Sequence, residues 1–214
     1  MFSFEEIFKT FFNITGQFDD IIDVPQENCT RKHIELPNRT YEITQRMLQR
    51  DDNFSAEDIL SYARMLFIEV HTCVMRCELE PIRKLVSPRL YNVLKELISD
   101  DKVDAIEEYS FDSIIEKNYL TSYRIDSNFK YEDLTVCIVM TMPSNATVYV
   151  NRLTFRRELN QAERLGAPLT RAICCPNCGA ALESITATTC SYCHSLIEPA
   201  KYEWELQNFE IVKR

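Results

Sequence analysis

The chain has 214 residues, of which 45% are hydrophobic and 27% are charged, and its formal net charge at pH 7 is −9. This length and hydrophobic content predict one main domain with a small appendage and exclude general disorder. The acidic charge argues against broad binding to a phosphate backbone, because such binding needs clustered Lys and Arg side chains. The 9 cysteines, an odd number, are typical of a reducing compartment rather than of a disulfide scaffold.

The opening segment predicts an amphipathic helix with an aromatic face, because its apolar residues recur at spacings of three and four. These residues are Phe4, Ile7, Phe8, Phe11 and Phe12. A helix that lies on a membrane normally presents Lys and Arg to anionic lipid, and only Lys9 is available here. An arm that docks on its own domain or on a partner is therefore favoured, with peripheral membrane contact through this helix as the alternative.

The same segment lacks the basic start and the continuous apolar core of a secretory signal, and no later stretch is apolar enough to span a bilayer. We therefore expect a cytoplasmic protein. Residues 24–39 are polar, contain two prolines and are typical of a linker, after which residues 41–49 show a short helical pattern. Residues 1–52 are accordingly interpreted as an N-terminal arm and linker that contains the amphipathic helix.

The most regular helix is predicted to begin after Ser55, an N-cap residue followed by acidic residues in the first turn. Its apolar stripe comprises Ile59, Tyr62, Ala63, Leu66, Val70, Cys73, Val74 and Cys77. Cys73 and Cys77 have the spacing of metal ligands, but on such a stripe free cysteines are expected to act as small buried hydrophobes. His71 lies off the stripe, so we expect it to be partly solvated at the surface.

Two prolines predict the first turns of two shorter helices, one at Pro81 and one at Pro88. Ser87 is placed to cap the second helix. The apolar residues of that helix are Leu90, Leu94, Leu97 and Ile98.

From about residue 105 the apolar residues recur with a period of two, which predicts β-strands. The first clear strand places on one face Leu134, Val136, Ile138, Met140 and Met142. The next, over residues 148–157, places on one face Tyr149, Leu153 and Phe155. In the last strand Trp204 and Leu206 have one parity and Phe209 the other, so a bulge near Asn208 is predicted to bring them to one face. Helices followed by antiparallel strands indicate an α+β fold with the helices packed on one side of a curved sheet.

Two Cys-x-x-Cys pairs lie between the last two predicted strands, at Cys175-Pro-Asn-Cys178 and Cys190-Ser-Tyr-Cys193. Four thiolates with this spacing can hold one tetrahedral zinc ion, which then has no open position for water. The zinc is therefore expected to fold the segment rather than to catalyse a reaction. Two disulfides are the alternative, which a reducing compartment disfavours.

The residues that surround these cysteines support the same interpretation. Gly179 and His194 follow the two pairs, where a left-handed backbone is often needed, and both residue types tolerate that conformation. Cys174 cannot replace a member of the first pair, because its spacing to Cys178 is wrong for a two-residue hook. Residues 160–200 are interpreted as a zinc-ribbon insertion between neighbouring strands, a segment too short to fold on a core of its own. Residues 172–200 contain no Lys or Arg, so the insertion lacks the charge that nucleic-acid binding requires.

Three stretches together resemble a known family. They are Asn53-Phe-Ser-Ala-Glu-Asp-Ile-Leu-Ser-Tyr-Ala-Arg-Met-Leu-Phe67, Glu80-Pro-Ile-Arg-Lys-Leu-Val-Ser-Pro-Arg-Leu-Tyr91, and Arg152-Leu-Thr-Phe-Arg156 before the four-cysteine insert. They are similar to the bacterial relatives of the C-terminal domain of subunit forty-four of the mitochondrial inner-membrane translocase, in the branch that carries a zinc ribbon. The resemblance covers the chain from about Asn53 to the C-terminus, within which we interpret residues 53–159 and 201–214 as one Tim forty-four-like domain.

The resemblance implies a cone-like fold of the nuclear-transport-factor-two superfamily, in which helices close one mouth of a strongly bent antiparallel sheet around an apolar cavity. It also implies a binding role in protein transport or assembly. We therefore expect a non-catalytic adaptor whose cavity holds a lipid or a hydrophobic peptide and whose zinc ribbon contacts a protein partner. The candidate cavity residues are Met140, Met142, Tyr149, Phe155 and Trp204.

Two other function classes stay open as alternatives. One is a small-molecule enzyme of the isomerase or hydratase type, because related cone folds pair a buried carboxylate with tyrosines; its candidate residues are Tyr109, Asp112 and Tyr149. No Ser, Cys or His constellation with catalytic spacing is evident, so no catalytic residue is assigned. The other is nucleic-acid binding by the zinc ribbon, which the lack of basic residues disfavours.

Overall fold

The structure is a computed structural model that describes residues 36–99, 115–141, 148–159, 174–175, 177–182, 184–197 and 204–213. The predicted amphipathic helix, Met142 and the enzyme candidates Tyr109 and Asp112 lie outside these residues. In chain order the described elements are helices α1 (Thr40–Leu48), α2 (Ala56–Met75) and α3 (Pro88–Ser99), then strands β1 (Ile115–Ile125), β2 (Tyr131–Thr141), β3 (Val148–Glu158) and β4 (Glu205–Lys213).

The four described strands form one sheet in the order β1-β2-β3-β4, and each strand is antiparallel to its neighbours. Together with the three helices, this sheet confirms the α+β fold class. Strands β3 and β4 are hydrogen-bonded neighbours although more than forty residues separate them in sequence. The four-cysteine segment is therefore an insertion in the connection between two paired strands of a continuous sheet.

Strand β2 shows the predicted alternation, because its two faces contribute to two separate apolar clusters. Leu134, Val136, Ile138 and Met140 belong to the main core, together with apolar residues of the helices. Cys137 and Val139 point to the opposite face and belong to a smaller cluster. The inner face of the sheet therefore packs against the helices, and the outer face is the one turned away from them.

The predicted bulge in the last strand is confirmed by the register of β3 and β4. Thr154 pairs with Asn208, whereas the next residue, Phe155, pairs with Leu206, so one residue of β4 is unpaired between them. Leu206 and Phe209 consequently both lie in the main core despite their opposite parity. The bulge keeps the apolar residues of β4 on the inner face.

Helix α2 begins as predicted, since the backbone N–H of Asp58 donates a hydrogen bond of 3.2 Å to the Ser55 hydroxyl. Two expectations on this helix were wrong. His71 is buried, and its ring contacts the rings of Phe67 (tilted by 46°) and Phe209 (edge-on) instead of facing solvent. Cys77 is exposed, because the helix ends at Met75 and Cys77 has a left-handed backbone (φ 56°).

Helices α1 and α3 complete the core. Ile43 and Met47 of α1 are buried in it, although they precede the predicted start of the domain at residue 53. Ser87 caps α3 as predicted, with the Leu90 N–H 3.2 Å from its hydroxyl oxygen. The helix predicted at Pro81 is a single 3-10 turn, Glu80–Ile82. Among the described helices, none is both long and apolar enough to cross a membrane.

A buried charged cluster lies on the inner side of the sheet, and no periodic pattern in the sequence predicts it. Arg157 forms an ion pair with Glu132, its partner on β2, and a second one of 3.1 Å with Asp51. The Tyr123 hydroxyl donates a hydrogen bond of 2.7 Å to Glu132. The Arg157 guanidinium also lies over the ring of Trp204, 4.5 Å from its centroid. Each charge is therefore paired, as burial requires.

Candidate metal centre

The first cysteine pair is held in a tight hairpin turn. Cys174 forms an isolated β-bridge with Ala181, and the Cys175 N–H donates to the Ala180 carbonyl at 2.7 Å. The Gly179 N–H then donates back to the Cys175 carbonyl at 2.9 Å. Gly179 has a φ of 72°, the left-handed conformation that the sequence predicts at this position. The turn brings both sulfurs of the pair to the same side.

The second pair repeats this geometry. Thr189 forms an isolated bridge with Leu196, the Cys190 N–H donates to the Ser195 carbonyl at 3.0 Å, and the His194 N–H donates to the Cys190 carbonyl at 3.0 Å. His194 has a φ of 57°, so it adopts the predicted left-handed conformation in place of glycine. The two hooks therefore have the same hydrogen-bond pattern, and their Cys-x-x-Cys spacing is that of a structural zinc site.

The four sulfurs of Cys175, Cys178, Cys190 and Cys193 lie within 4.8 Å of one another. The sulfurs of Cys175 and Cys193 are 3.6 Å apart, and those of Cys178 and Cys190 are 3.8 Å apart. Sulfurs bound at about 2.3 Å to a tetrahedral zinc ion are about 3.8 Å from one another, so the cluster fits this ion. The described cysteines form no disulfide with one another. The four thiols could thus hold one metal ion.

Hydrogen bonds around the cluster favour thiolates. The Ser195 hydroxyl lies 3.0 Å from the sulfur of Cys193 and, with other donors, lowers the pKa of that thiol to about 5. The same hydroxyl contributes most to lowering the pKa of Cys175. At Cys178 the Ala180 N–H favours the thiolate, but desolvation and the neighbouring thiols outweigh it and raise the pKa to about 12. Binding of a divalent cation would release the protons that remain.

The loop between the two cysteine pairs is docked on α2. Ser184 and Thr186 donate hydrogen bonds of 2.7 and 2.8 Å to the two carboxylate oxygens of Glu69. Ile185, between them, is buried in the main core. This contact was not predicted from the sequence, because one apolar residue in a polar loop is a weak signal. The position of the four-cysteine module is set by the helix beneath it.

The part of the module that is not docked exposes apolar side chains. Tyr192 is 70% exposed and Leu196 is 84% exposed, both within or next to the second hook. Asn177, at the tip of the first hook, is also exposed, and it donates to the sulfur of Cys193 at 3.6 Å. Isolated exposed hydrophobic residues are ordinary, but these two lie close together in sequence on one hairpin.

The described candidate cavity residues are all buried in the main core: Met140, Tyr149, Phe155 and Trp204. The ring of Phe155 lies 5.7 Å from that of Tyr62, and the Tyr62 hydroxyl donates a hydrogen bond of 3.0 Å to the Trp204 carbonyl. Such contacts are also those of ordinary core residues.

Asn151 is a buried polar residue in the same strand face that the sequence reasoning missed. It lies between Tyr149 and Leu153 and is fully buried. Its Nδ2 donates a hydrogen bond of 3.2 Å to the Ile138 carbonyl, whereas its Oδ1 has no hydrogen-bond partner in the part of the chain that the structure describes. A buried acceptor without a donor is costly, so it favours a water molecule or a ligand group that can donate.

Comparison with known proteins gives one match. The family model of the Tim44-like domain matches residues 41–142, which include the three helices and the first two strands. The match begins within α1, before the three stretches quoted above, and ends before β3 and the four cysteines. No curated protein and no solved structure matches the chain significantly. Over residues 41–142 the chain is therefore similar to Tim44-like domains.

Proposed function

We propose that the protein is a non-catalytic adaptor in protein transport or assembly, whose four-cysteine module binds one structural zinc ion and contacts a protein partner. The observation that carries this proposal is the module itself. Its four sulfurs lie within 4.8 Å of one another, and its loop is fixed to α2 through Glu69 and Ile185. A rigid, docked module that exposes Tyr192 and Leu196 is suited to binding rather than to chemistry.

The partner is proposed to be a protein rather than a nucleic acid. Residues 172–200 contain no Lys or Arg, and four thiolates around a divalent ion add negative charge. Exposed tyrosine and leucine side chains instead favour an apolar protein surface. Similarity to Tim44-like domains supports a transport-related role. We place the protein in a bacterial cytoplasm, either free or at a membrane surface.

The domain organisation that accompanies this function has three parts. We propose a Tim44-like domain made of residues 53–159 and 201–214, extended by α1, whose side chains pack in its core. Residues 160–200 form the zinc-ribbon insertion, and the residues before α1 form an arm. The sheet is proposed to curve into a cone, as in the nuclear-transport-factor-two superfamily.

Site-specific photo-crosslinking tests the adaptor role. A benzophenone amino acid replaces Tyr192 in cells that produce the protein, and the same amino acid replaces Phe129, which is 72% exposed in the turn between β1 and β2, as the control. We expect one discrete crosslinked protein from position 192, absent from position 129 and lost when Leu196→Glu is added. Equal adducts from both positions would contradict the proposal.

A second candidate function is a carrier with an apolar ligand in the core, either a lipid or a hydrophobic peptide. The unpartnered Oδ1 of Asn151, on the same face as Tyr149, favours it, because a ligand hydroxyl or amide could donate to that oxygen. The native mass of the gently purified protein tests it. A hydrophobic adduct that Asn151→Leu weakens supports the carrier, and a mass of chain plus metal alone opposes it.

A further inference from the structure

The outer face of the sheet carries an apolar cluster that none of the described helices, α1 to α3, covers. Its buried members are Tyr119, Cys137, Val139 and Val150, and Cys137 is 0% exposed. These residues come from β1, β2 and β3, and they point away from the main core, against which all three helices pack. A sheet face that is turned to solvent would leave such side chains accessible.

One described residue from outside the strands, Leu36, packs on this cluster. Its position is fixed by hydrogen bonds to β1: the Tyr119 hydroxyl donates to the Leu36 carbonyl at 3.0 Å, and the Arg39 N–H donates to the Leu120 carbonyl at 2.8 Å. The chain therefore reaches β1 at the outer face before α1 turns to the inner face. Leu36, the first described residue of the chain, thus lies against the cluster.

The buried Nε of Arg152 on the same face also indicates that another segment covers this face. Arg152 lies opposite Cys137 in the register of β2 and β3 and pairs with Glu210 through its terminal nitrogen. Its Nε is buried and has no hydrogen-bond partner among the described residues. A buried guanidinium nitrogen favours a carboxylate acceptor. Residues 1–23 contain the acidic side chains Glu5, Glu6, Asp19, Asp20 and Asp23.

We propose that the amphipathic segment 4–12 docks on the outer face of the sheet, with its aromatic face on the Cys137 cluster. The segment is long enough to form two helical turns, and the 23 residues between it and Leu36 could span about 75 Å when extended. It contains Glu5 and Glu6, whose carboxylates could accept a hydrogen bond from the Nε of Arg152. The adjoining Leu36 is already seated at the edge of the cluster.

The docking proposal has a consequence for the membrane alternative. The face that would enter a lipid surface is the one that contains Phe8 and Phe11, and docking buries it. Membrane contact through this helix would therefore uncover Cys137. The Cys137 thiol is therefore a reporter of the docked state. Burial raises the pKa of this thiol, so a smaller fraction of it is the reactive thiolate while it is covered.

Thiol labelling of the full-length protein tests the proposal. The protein is treated with a maleimide, and the modified fraction of each cysteine is followed by peptide mass spectrometry. We expect Cys137 to react far more slowly than the exposed Cys77 in the wild-type chain. In a variant with Phe8→Asp and Phe11→Asp, we expect Cys137 to react about tenfold faster or more, because the cover is released.

Three controls make the outcome decisive. Lys9→Gln, on the polar face of the same segment, should leave the labelling rate unchanged. Cys73, buried in the main core, should stay slow in the double variant, which shows that the fold is intact. An unchanged Cys137 rate in a folded double variant overturns the proposal. Protection that falls on dilution, with a dimer in light scattering, also overturns it, because a second copy would then be the cover.

Discussion

The Ser184 hydroxyl donates a hydrogen bond of 2.7 Å to Glu69, which ties the loop between the two cysteine pairs to helix α2. Thr186 binds the other carboxylate oxygen at 2.8 Å, so the carboxylate holds both sides of the loop. Between them Ile185 enters the main core. The metal module and the main domain therefore share a defined interface, and each should respond to changes in it.

Glu69→Ala should loosen this interface. The substitution removes both acceptors, and hydrogen bonds to a charged group contribute about 1.5–3 kcal/mol each when buried, so we expect a loss of about 2 kcal/mol for this partly exposed site. Urea unfolding measures the loss, and hydrogen exchange at residues 184–186 should accelerate. Glu96→Ala, on the exposed side of α3, is the matched control. Unchanged exchange in this loop would show that the contact does not hold the module.

The same variant should keep its metal. The four sulfurs are positioned by their own hairpins, such as the Cys175 N–H to Ala180 bond of 2.7 Å, and not by Glu69. Elemental analysis of Glu69→Ala should therefore give as much zinc as the wild type. Loss of zinc in this variant would mean that docking, rather than the hairpins, organises the ligands.

Breaking the buried ion pair between Glu132 and Arg157 should strongly destabilise the fold. Both side chains are almost fully buried, at 2% exposure for Glu132 and 4% for Arg157. Glu132→Gln therefore leaves the positive charge of Arg157 in the core without its main partner. We expect a loss of about 3–5 kcal/mol in the free energy of unfolding. Urea titration at neutral pH measures it.

The neighbouring pair supplies the control for that measurement. Asp133 and Arg156 also face each other across β2 and β3, with the Nε to Oδ1 distance at 2.7 Å, but they are partly exposed. Asp133→Asn should cost about 1 kcal/mol or less, because water screens the pair. Similar losses in the two variants would contradict the burial argument.

His71 should make stability fall in mild acid. Burial lowers the pKa of this imidazole from 6.5 to about 4, opposed by its hydrogen bond to the Phe67 carbonyl. Below pH 6.5 the imidazole of the unfolded chain is protonated, whereas that of the native state stays neutral until about pH 4. The contribution of His71 to stability is therefore fully present above pH 6.5 and is lost as the pH falls from 6.5 to about 4. The loss from this residue is about 3 kcal/mol. His71→Gln should flatten this part of the curve of unfolding free energy against pH, and an unchanged slope would refute the assignment.

The sequence predicted the parts of the structure that have local or periodic signals. The four cysteines, the left-handed Gly179 and His194, the Ser55 and Ser87 caps and the β4 bulge all follow from spacing or residue type. The contacts of Glu69 with the loop and of Glu132 with Arg157 join residues far apart in sequence. Polar pairs of this kind leave no periodic pattern, so only the folded chain reveals them.

His71 shows why periodicity fails even within one helix. It lies off the apolar stripe of α2, and a histidine at such a position is predicted to be a surface residue. Phe209 reaches it from β4, where the bulge shifts the parity of the strand. Burial of His71 therefore depends on a contact between two elements, each of which was predicted separately.

We propose that the four clustered thiols bind one structural zinc ion and that the main domain still folds without this ion. Native mass spectrometry of three chains tests it most directly: the wild type, Cys175→Ser, and the adjacent control Cys174→Ser. We predict one zinc ion in the wild type and in Cys174→Ser, and none in Cys175→Ser, which should keep a cooperative unfolding transition. A wild-type mass without metal, or zinc retained in Cys175→Ser, would contradict the account.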